Sequence, residues 1–524
     1  MESIRALADL TIRGGLSRRT FMERAVALGL GIPLATSLLA EAALAAPKKG
    51  GTAVLALQGG ASTDSLDPTT YQSQVPAEVG YLFGNTLVEM SPANVPTAEL
   101  AESWEGLDAA KRWVFKLRKG VQFHNGKEMT AADVVFSLNR HRGPNSKSGA
   151  AGQMKIIEDI KATDSHEVTM TLSQANADMP YLMSDYHLLI QPEGDKGDSG
   201  IGTGPYVLKN VEPGVRVAAE RNPHYFKPDR AWFDSVEFLV VNDPTARIAA
   251  FESGKAHMIN RVEPKVVALL KRAPGLEVIS TPGRGQYLFL MHCDKPPFDN
   301  AELRLAMKYA IDREQILKLC LQGYGSIGND QPINSPYPFF AADIPQYQYD
   351  LDKAKFHVKK SGFDGNILLH TSDVAFTGAV DAATLLQASA AKAGIKIDIK
   401  RDPGDGYWDN IWNKESFCAS YWGGRPTTDQ MLSIAYLSDA PWNDTKWFRP
   451  NFDKIVAEAR SELDDAKRKT LYREAQLMIH DDGGALIPMF NDFLDGVSKK
   501  IGGYVKDPIG ELSGYRAPER CWFV

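Results

Sequence analysis

Apolar and polar positions alternate with two periods along this chain, and the switches between them mark its elements. In KKGGTAVLALQGG, Thr52 to Leu57 reads as a first strand, stopped by Gly59 and Gly60. WVFKLRKGVQF alternates as a half-buried strand does, turns at HNGKE, and enters a helix through the capping pair Thr130 and Asp133. Asp299 and Glu302 are expected to open another helix, in which Leu303, Ala306, Met307, Ala310 and Ile311 share one apolar face.

Residues 366 to 425 are the most regular stretch. NILLHT reads as a strand, ATLLQASAAKA as a helix ended by Gly394, IKIDIK as a second strand, YWDNIW as a short helix and FCASYW as a third strand. Strands alternating with helices predict a mainly parallel sheet, and ligands collect beyond the carboxyl ends of such strands. Gly423, Gly424 and Arg425 follow the third strand directly. Two helical patterns from about Phe452 to His480 then precede a short strand, ALIPMF.

Length changes the picture, because 524 residues exceed what one hydrophobic core usually supports, and two or more lobes are expected. A charged fraction of 24% and a formal net charge of -6, with no basic stripe, exclude a nucleic-acid surface. Cys293, Cys320, Cys418 and Cys521 lie far apart with no C-x-x-C, so neither a zinc site nor a disulfide scaffold is indicated, and a Cys293–Cys418 bridge is left open. No cofactor motif occurs.

The N-terminus reads as an export signal: SRRTFMERAVALGLGIPLATSLLAEAALAA has paired arginines, a modest apolar run and an A-L-A ending at Ala45. Gly29, Gly31 and Pro33 make that run a poor bilayer span. Arg18 and Arg19, followed by Phe21, resemble the twin-arginine signal, with Met22 and Glu23 where Leu and Lys are usual. Residues 1 to 45 hold five Arg and four acids, so removing their +1 from -6 leaves a mature chain of -7. No cysteine follows the signal, so a periplasmic protein without a lipid anchor is expected.

Enzyme-like strings fail their context. GDSG at 197 to 200 imitates a serine-protease motif, yet nothing in the sequence positions a His and an acid beside Ser199, so a secreted hydrolase is only a remote alternative. GYGSIG at 323 to 328 has G-x-G-x-x-G spacing but follows a helix, and HNGKE has no H-E-x-x-H and no third ligand.

The order of segments resembles the large solute-binding proteins of ABC importers, the family of dipeptide-, oligopeptide- and nickel-binding receptors. The matching stretches are LAESW, WVFKLRKGVQFHNGKEMTAADVVFSLNR, GTGPYVL, NPHYF, FESGKAHM and FDNAELRLAMKYAIDREQI, spanning nearly all of the mature chain. The resemblance implies a two-lobed α/β fold of the type II periplasmic binding class, with mixed sheets flanked by helices, an extra inserted subdomain, a ligand cleft between the lobes, and no catalysis. Carried over, lobe I takes residues 46–71, 190–283 and 488–524, the inserted subdomain 72–189, and lobe II 284–487, with crossings near YLFLMH and LIPMF. The implied partners are a peptide or small solute and an ABC permease with its ATPase; a monomer is expected.

The resemblance also sets Gln58, Gly59 and Gly60 opposite Trp422, Gly423 and Gly424, with Trp408, Trp412 and Trp422 available for stacking on the solute. Peptide-binding members are expected to carry an acid just after the W-x-G turn, where it pairs with the peptide's α-amino group. Arg425 stands there, with Asp429 as the alternative anchor. A guanidinium matches a carboxylate bidentately, and glycine N–H groups assist an anion. The readings left open are a carboxylate-bearing peptide, a non-peptide anionic solute such as an opine-like compound or sugar acid, and an Arg425 paired on the surface with Asp429.

Overall fold

The computed structural model describes Thr20, Phe21, Arg24, Ala25 and residues 47–524, apart from 72–73, 144–145, 147, 405–406 and 441. Arg18, Arg19 and the processing site after Ala45 lie outside the described residues. No helix among those described is long and apolar enough to cross a membrane.

The elements that position the cleft are, in chain order, β1 (Thr52–Leu57), α1 (Gln74–Phe83), β2 (Ala101–Leu107), β3 (Arg112–Leu117), α2 (Ala131–Asn139), β4 (Ile157–Asp164), β5 (Glu167–Leu172), β6 (Tyr206–Glu212), β7 (Arg216–Arg221), β8 (Ser235–Val240), β9 (Met258–Ile259), β10 (Leu276–Met291), α3 (Ala301–Ala310), β11 (Asn366–Thr371), α4 (Ala379–Ala391), β12 (Lys396–Arg401), β13 (Phe417–Trp422), α5 (Thr428–Ala435), α6 (Pro450–Ser461), α7 (Asp465–Asp482) and β14 (Ala485–Ser498). One large sheet runs β12-β11-β13-β10-β14-β9-β1-β8-β7-β6. A separate four-stranded sheet runs β2-β3-β5-β4.

β11 pairs in parallel with both β12 and β13, as alternating strands and helices require, whereas β13 meets β10 antiparallel. The fold is thus mixed α/β. Among the described residues four sets of buried side chains underlie it, one of them Ala56, Phe251, Ile259 and Val278 beside β1 and β9. Leu288, Leu369, Phe417 and Ile479 belong to the second lobe's core, while Leu55, Phe83, Phe233 and Cys521 belong to the first lobe's. Phe115, Val134 and Met170 pack the four-stranded sheet against α2.

β10 and β14 carry the chain from one core to the other. Their antiparallel register runs from Leu276↔Ser498 to Pro282↔Asp492, breaks, and resumes at Gln286↔Phe490. Gly283, Arg284 and Gly285 occupy the break, where a local loss of ladder bonds allows the pair to bend.

Local chemistry explains the element ends. Thr130 N donates to Asp133 Oδ2 at 2.8 Å, closing the expected capping box. For α3 the cap is Asn300, whose Oδ1 accepts from Glu302 N at 3.0 Å; Asp299 lies one position too early to reach the free amides. HNGKE is a hairpin turn, with Phe123 N donating to Lys127 O at 2.9 Å. GYGSIG contributes a short strand, Gly325–Ile327, paired with β14.

Candidate functional site

β1 ends at a turn whose backbone is already engaged. Gln58 N donates to Asn260 Oδ1 at 2.8 Å and Gly59 N to Asn242 Oδ1 at 2.9 Å, while Asn242 Nδ2 returns a bond to Gly60 O at 3.0 Å. The Gln58 carboxamide oxygen accepts from Arg247 Nη2 at 2.9 Å. Gly59 has φ +104° and is required by the backbone, whereas a Cβ on Gly60 would lie 2.8 Å from the Val240 side chain, so Gly60 is required by packing. The half-exposed group next to them is Arg261, whose Nη1 lies 3.5 Å from where a Gly59 Cβ would stand.

Arg261 is aimed by two neighbours. Its Nε donates to Glu511 Oε1 at 3.0 Å and its Nη2 to Gln74 Oε1 at 2.6 Å. Glu511 also accepts from Asn260 at 2.9 Å and opens an uncommon turn in which Leu512, Ser513, Gly514 and Tyr515 are all left-handed. Asp495 holds that turn through Leu512 N at 2.8 Å and Tyr504 Oη at 2.6 Å. Glu78, on α1, is buried beneath it.

Across the cleft, β13 ends at Trp422. The indole N–H groups of Trp412 and Trp422 both donate to Asp444 Oδ2 at 3.0 Å, so these rings are fixed in the second lobe. Burial is the largest influence on Asp444 and pushes its carboxyl up to about 7, against the two indole bonds. Trp408 packs edge-on against Tyr421, with ring centroids 5.4 Å apart; Tyr421 itself is 48% exposed.

The turn beyond Trp422 is set by Arg284, at the break in the β10–β14 register. Its Nη1 donates to Arg425 O at 3.2 Å and Pro426 O at 3.0 Å. A Cβ on Gly424 would lie 2.5 Å from Arg284 Cβ, so Gly424 permits this approach. Gly423 is exposed, and its carbonyl accepts from Arg425 Nη1 at 3.2 Å.

Arg425 has its backbone N–H on Tyr337 Oη at 2.9 Å and its guanidinium 5.7 Å from the Trp422 ring. Nη1 also reaches Gly424 O at 3.1 Å, and among the described residues no carboxylate pairs with Arg425. Its charge is felt by Asp185, Tyr186 and His187. The surface pair with Asp429 does not form, because Asp429 accepts from Arg460 Nε with both oxygens at 3.0 Å and is buried.

The serine-protease string is a loop in which Ser199 donates to Asp195 and, among the described residues, has no hydrogen bond to a histidine. All four cysteines are free thiols, so Cys293 and Cys418 do not pair. Glu89, Glu99 and Glu519 converge, but Lys227, Arg516 and Arg520 neutralise them in one buried network.

Arg261, Glu78, Asp495 and Glu511 were not singled out by sequence reasoning. Glu511 is 250 residues from Arg261, and no local pattern signals that pairing.

The fold, with β10 and β14 carrying the chain between two cores, is the two-lobed α/β architecture of the periplasmic binding proteins. Residues 95–444 match the bacterial extracellular solute-binding proteins of family 5, and the chain belongs to that family. The dipeptide-binding protein of Escherichia coli K12 is 26% identical over 455 residues, covering 79% of this chain and 84% of that protein. The periplasmic binding protein DppA from Helicobacter pylori, solved with the peptide STSA, has 23% identity and a TM-score of 0.77, over 91% of this chain and 98% of that one. AgaA from A. tumefaciens R10, solved with agropinic acid, has 22% identity and a TM-score of 0.78, over 90% and 99%.

Proposed function

We propose that this chain is the periplasmic receptor of an ABC importer, closing its lobes on a peptide or peptide-like solute and presenting it to the permease and its ATPase as a monomer, without catalysis. Arg425 carries the reading: a half-buried guanidinium beyond a strand's carboxyl end, stacked on Trp422 and with no carboxylate of its own, is suited to the solute's carboxylate. Trp408, Gly423 and Gly424 flank it, with Gln58, Gly59 and Gly60 as the opposing jaw. Asp429 is occupied by Arg460 and is assigned a supporting role.

In this reading lobe I comprises 46–71, 190–283 and 488–524, with 72–189 inserted, and lobe II comprises 284–487. Residues 1–45 direct export by the twin-arginine route.

A thermal-shift panel of dipeptides, opine-type acids and sugar acids tests the reading, since a tight ligand raises the melting temperature without being consumed. Stabilisation by dipeptides is expected. Stabilisation confined to the non-peptide acids would replace the peptide by an anionic solute, and consumption of a compound would overturn the binding role.

A further inference from the structure

Asp495 and Glu511 meet at the left-handed turn beside Arg261, Asp495 accepting from Leu512 N and Glu511 from Arg261 Nε, and Glu78 is buried on α1 near enough for both charges to act on it. Glu78 and Asp495 are 2% and 1% exposed, and Glu511 is 5% exposed. Among the described residues Arg261 pairs with one carboxylate, that of Glu511. Both oxygens of Glu78, and Oδ1 of Asp495, have no hydrogen-bond partner among the described residues.

Buried carboxylates are normally satisfied, because desolvation without a partner costs several kcal/mol. Two acids too many at a wall that senses Tyr287 and Tyr421 of the other lobe call for a cation from outside the chain. We propose that Glu78, Asp495 and Glu511 form a cation subsite that takes the α-ammonium group of the solute while Arg425 takes its carboxylate. The assignment rests on the peptide reading above and deepens it: the solute is a zwitterion lying across the cleft, its positive end on the first lobe and its negative end on the second.

The charge balance supports this. Burial first, and then Glu511 and Asp495, hold Glu78 well above the ordinary carboxylate range; burial and Glu511 hold Asp495 up to about 7. Arg261 opposes both shifts, and Tyr504 and the Leu512 amide oppose that of Asp495. These carboxyls therefore hold protons near neutrality, and an arriving ammonium replaces them. Binding at pH 6 to 7 then releases protons, which a structural cluster does not do.

Calorimetry with alanyl dipeptides of every second residue, followed by the best of them in free, N-acetylated and C-amidated form, tests the subsite. In the wild-type chain acetylation is expected to weaken binding about 30-fold, and buffers of different ionisation enthalpy to reveal proton release. Glu78→Gln, or Asp495→Asn where the first variant does not fold, is expected to weaken the free dipeptide about 10-fold, leave the acetylated form unchanged and diminish the proton release. An acetylated dipeptide bound within about threefold of the free one overturns the subsite, as does an acetylation penalty that survives both substitutions. Loss on amidation and in Arg425→Ala reports separately on the carboxylate end. Failure of every free dipeptide to bind overturns the peptide reading and the subsite together.

Discussion

Arg468 Nη2 donates to Asp178 at 2.6 Å across 290 residues of sequence, joining α7 to the segment just before Met179. Both side chains are at least nine-tenths buried, and beside them Ala177 N donates to Arg460 O at 3.0 Å. The core that α7 packs into and the core that holds Met179 are therefore bridged by a desolvated ion pair next to the Asp429–Arg460 pair. Removing one partner of a buried pair costs about 3 to 5 kcal/mol, because the other charge stays buried. Arg468→Ala is expected to lower stability by that order or, where the lobes part instead, to enlarge the radius of gyration. Denaturant unfolding and small-angle scattering on one preparation distinguish the two responses; no change in either counts against the bridge.

Arg425→Ala is expected to weaken solute binding by about 2 to 4 kcal/mol, roughly 30-fold to 1000-fold, because the solute's charge is left buried without its partner. Arg425→Lys recovers part of this, since a point charge lacks the planar fork. Stability should hardly change, as Arg425 pairs with no acid among the described residues. Asp429→Asn is expected to act the other way, on stability through the stranded Arg460. Calorimetry for affinity and thermal melts for stability separate the two roles.

Asp444 gives a pH dependence with a definite sign. Its carboxyl moves from an ordinary value near 4 in the unfolded chain to about 7 in the fold. The native state therefore holds the extra proton between those limits, and the stabilising contribution, complete below pH 4, is lost as pH rises to 7, by at most about 4 kcal/mol. Asp444→Asn keeps an oxygen for both indole N–H groups and removes the charge. Melting curves from pH 4 to 8 should be flatter for this variant, which should also be the more stable at pH 8. A lower melting temperature than wild type at pH 8 would contradict the assignment.

Gly424→Ala places a methyl group 2.5 Å from Arg284 Cβ, which the packed turn cannot absorb. A loss of about 1 to 3 kcal/mol is expected, together with weaker solute binding, because the displaced turn carries Arg425. An alanine variant with wild-type melting and affinity would show that the turn has room.

Replacing Arg18 and Arg19 by lysine is expected to leave precursor in the cytoplasm, as judged by fractionation and immunoblotting. Normal export of the double variant removes the twin-arginine assignment.

The strands that end at the two glycine turns are legible in the sequence because period-2 alternation and glycine punctuation are local signals. Thr52–Leu57, Asn366–Thr371 and Phe417–Trp422 occur at the expected residues. Side-chain commitments are not local. Asp429 stands four residues from Arg425, yet Arg460, arriving on α6, takes it. The three tryptophans advertise stacking, but a single buried acid, Asp444, claims two of their N–H groups. Asp299 and Asn300 are both good helix caps, and only the backbone geometry selects Asn300.

Arg284 sits where the two crossing strands lose register, and it also grips the carbonyls of Arg425 and Pro426. The bend in the strands and the turn beyond Trp422 are thus coupled through one side chain, like a crank fixed to its axle. Any rotation about that break moves the turn that carries Arg425, and any pull on that turn is a torque on the joint.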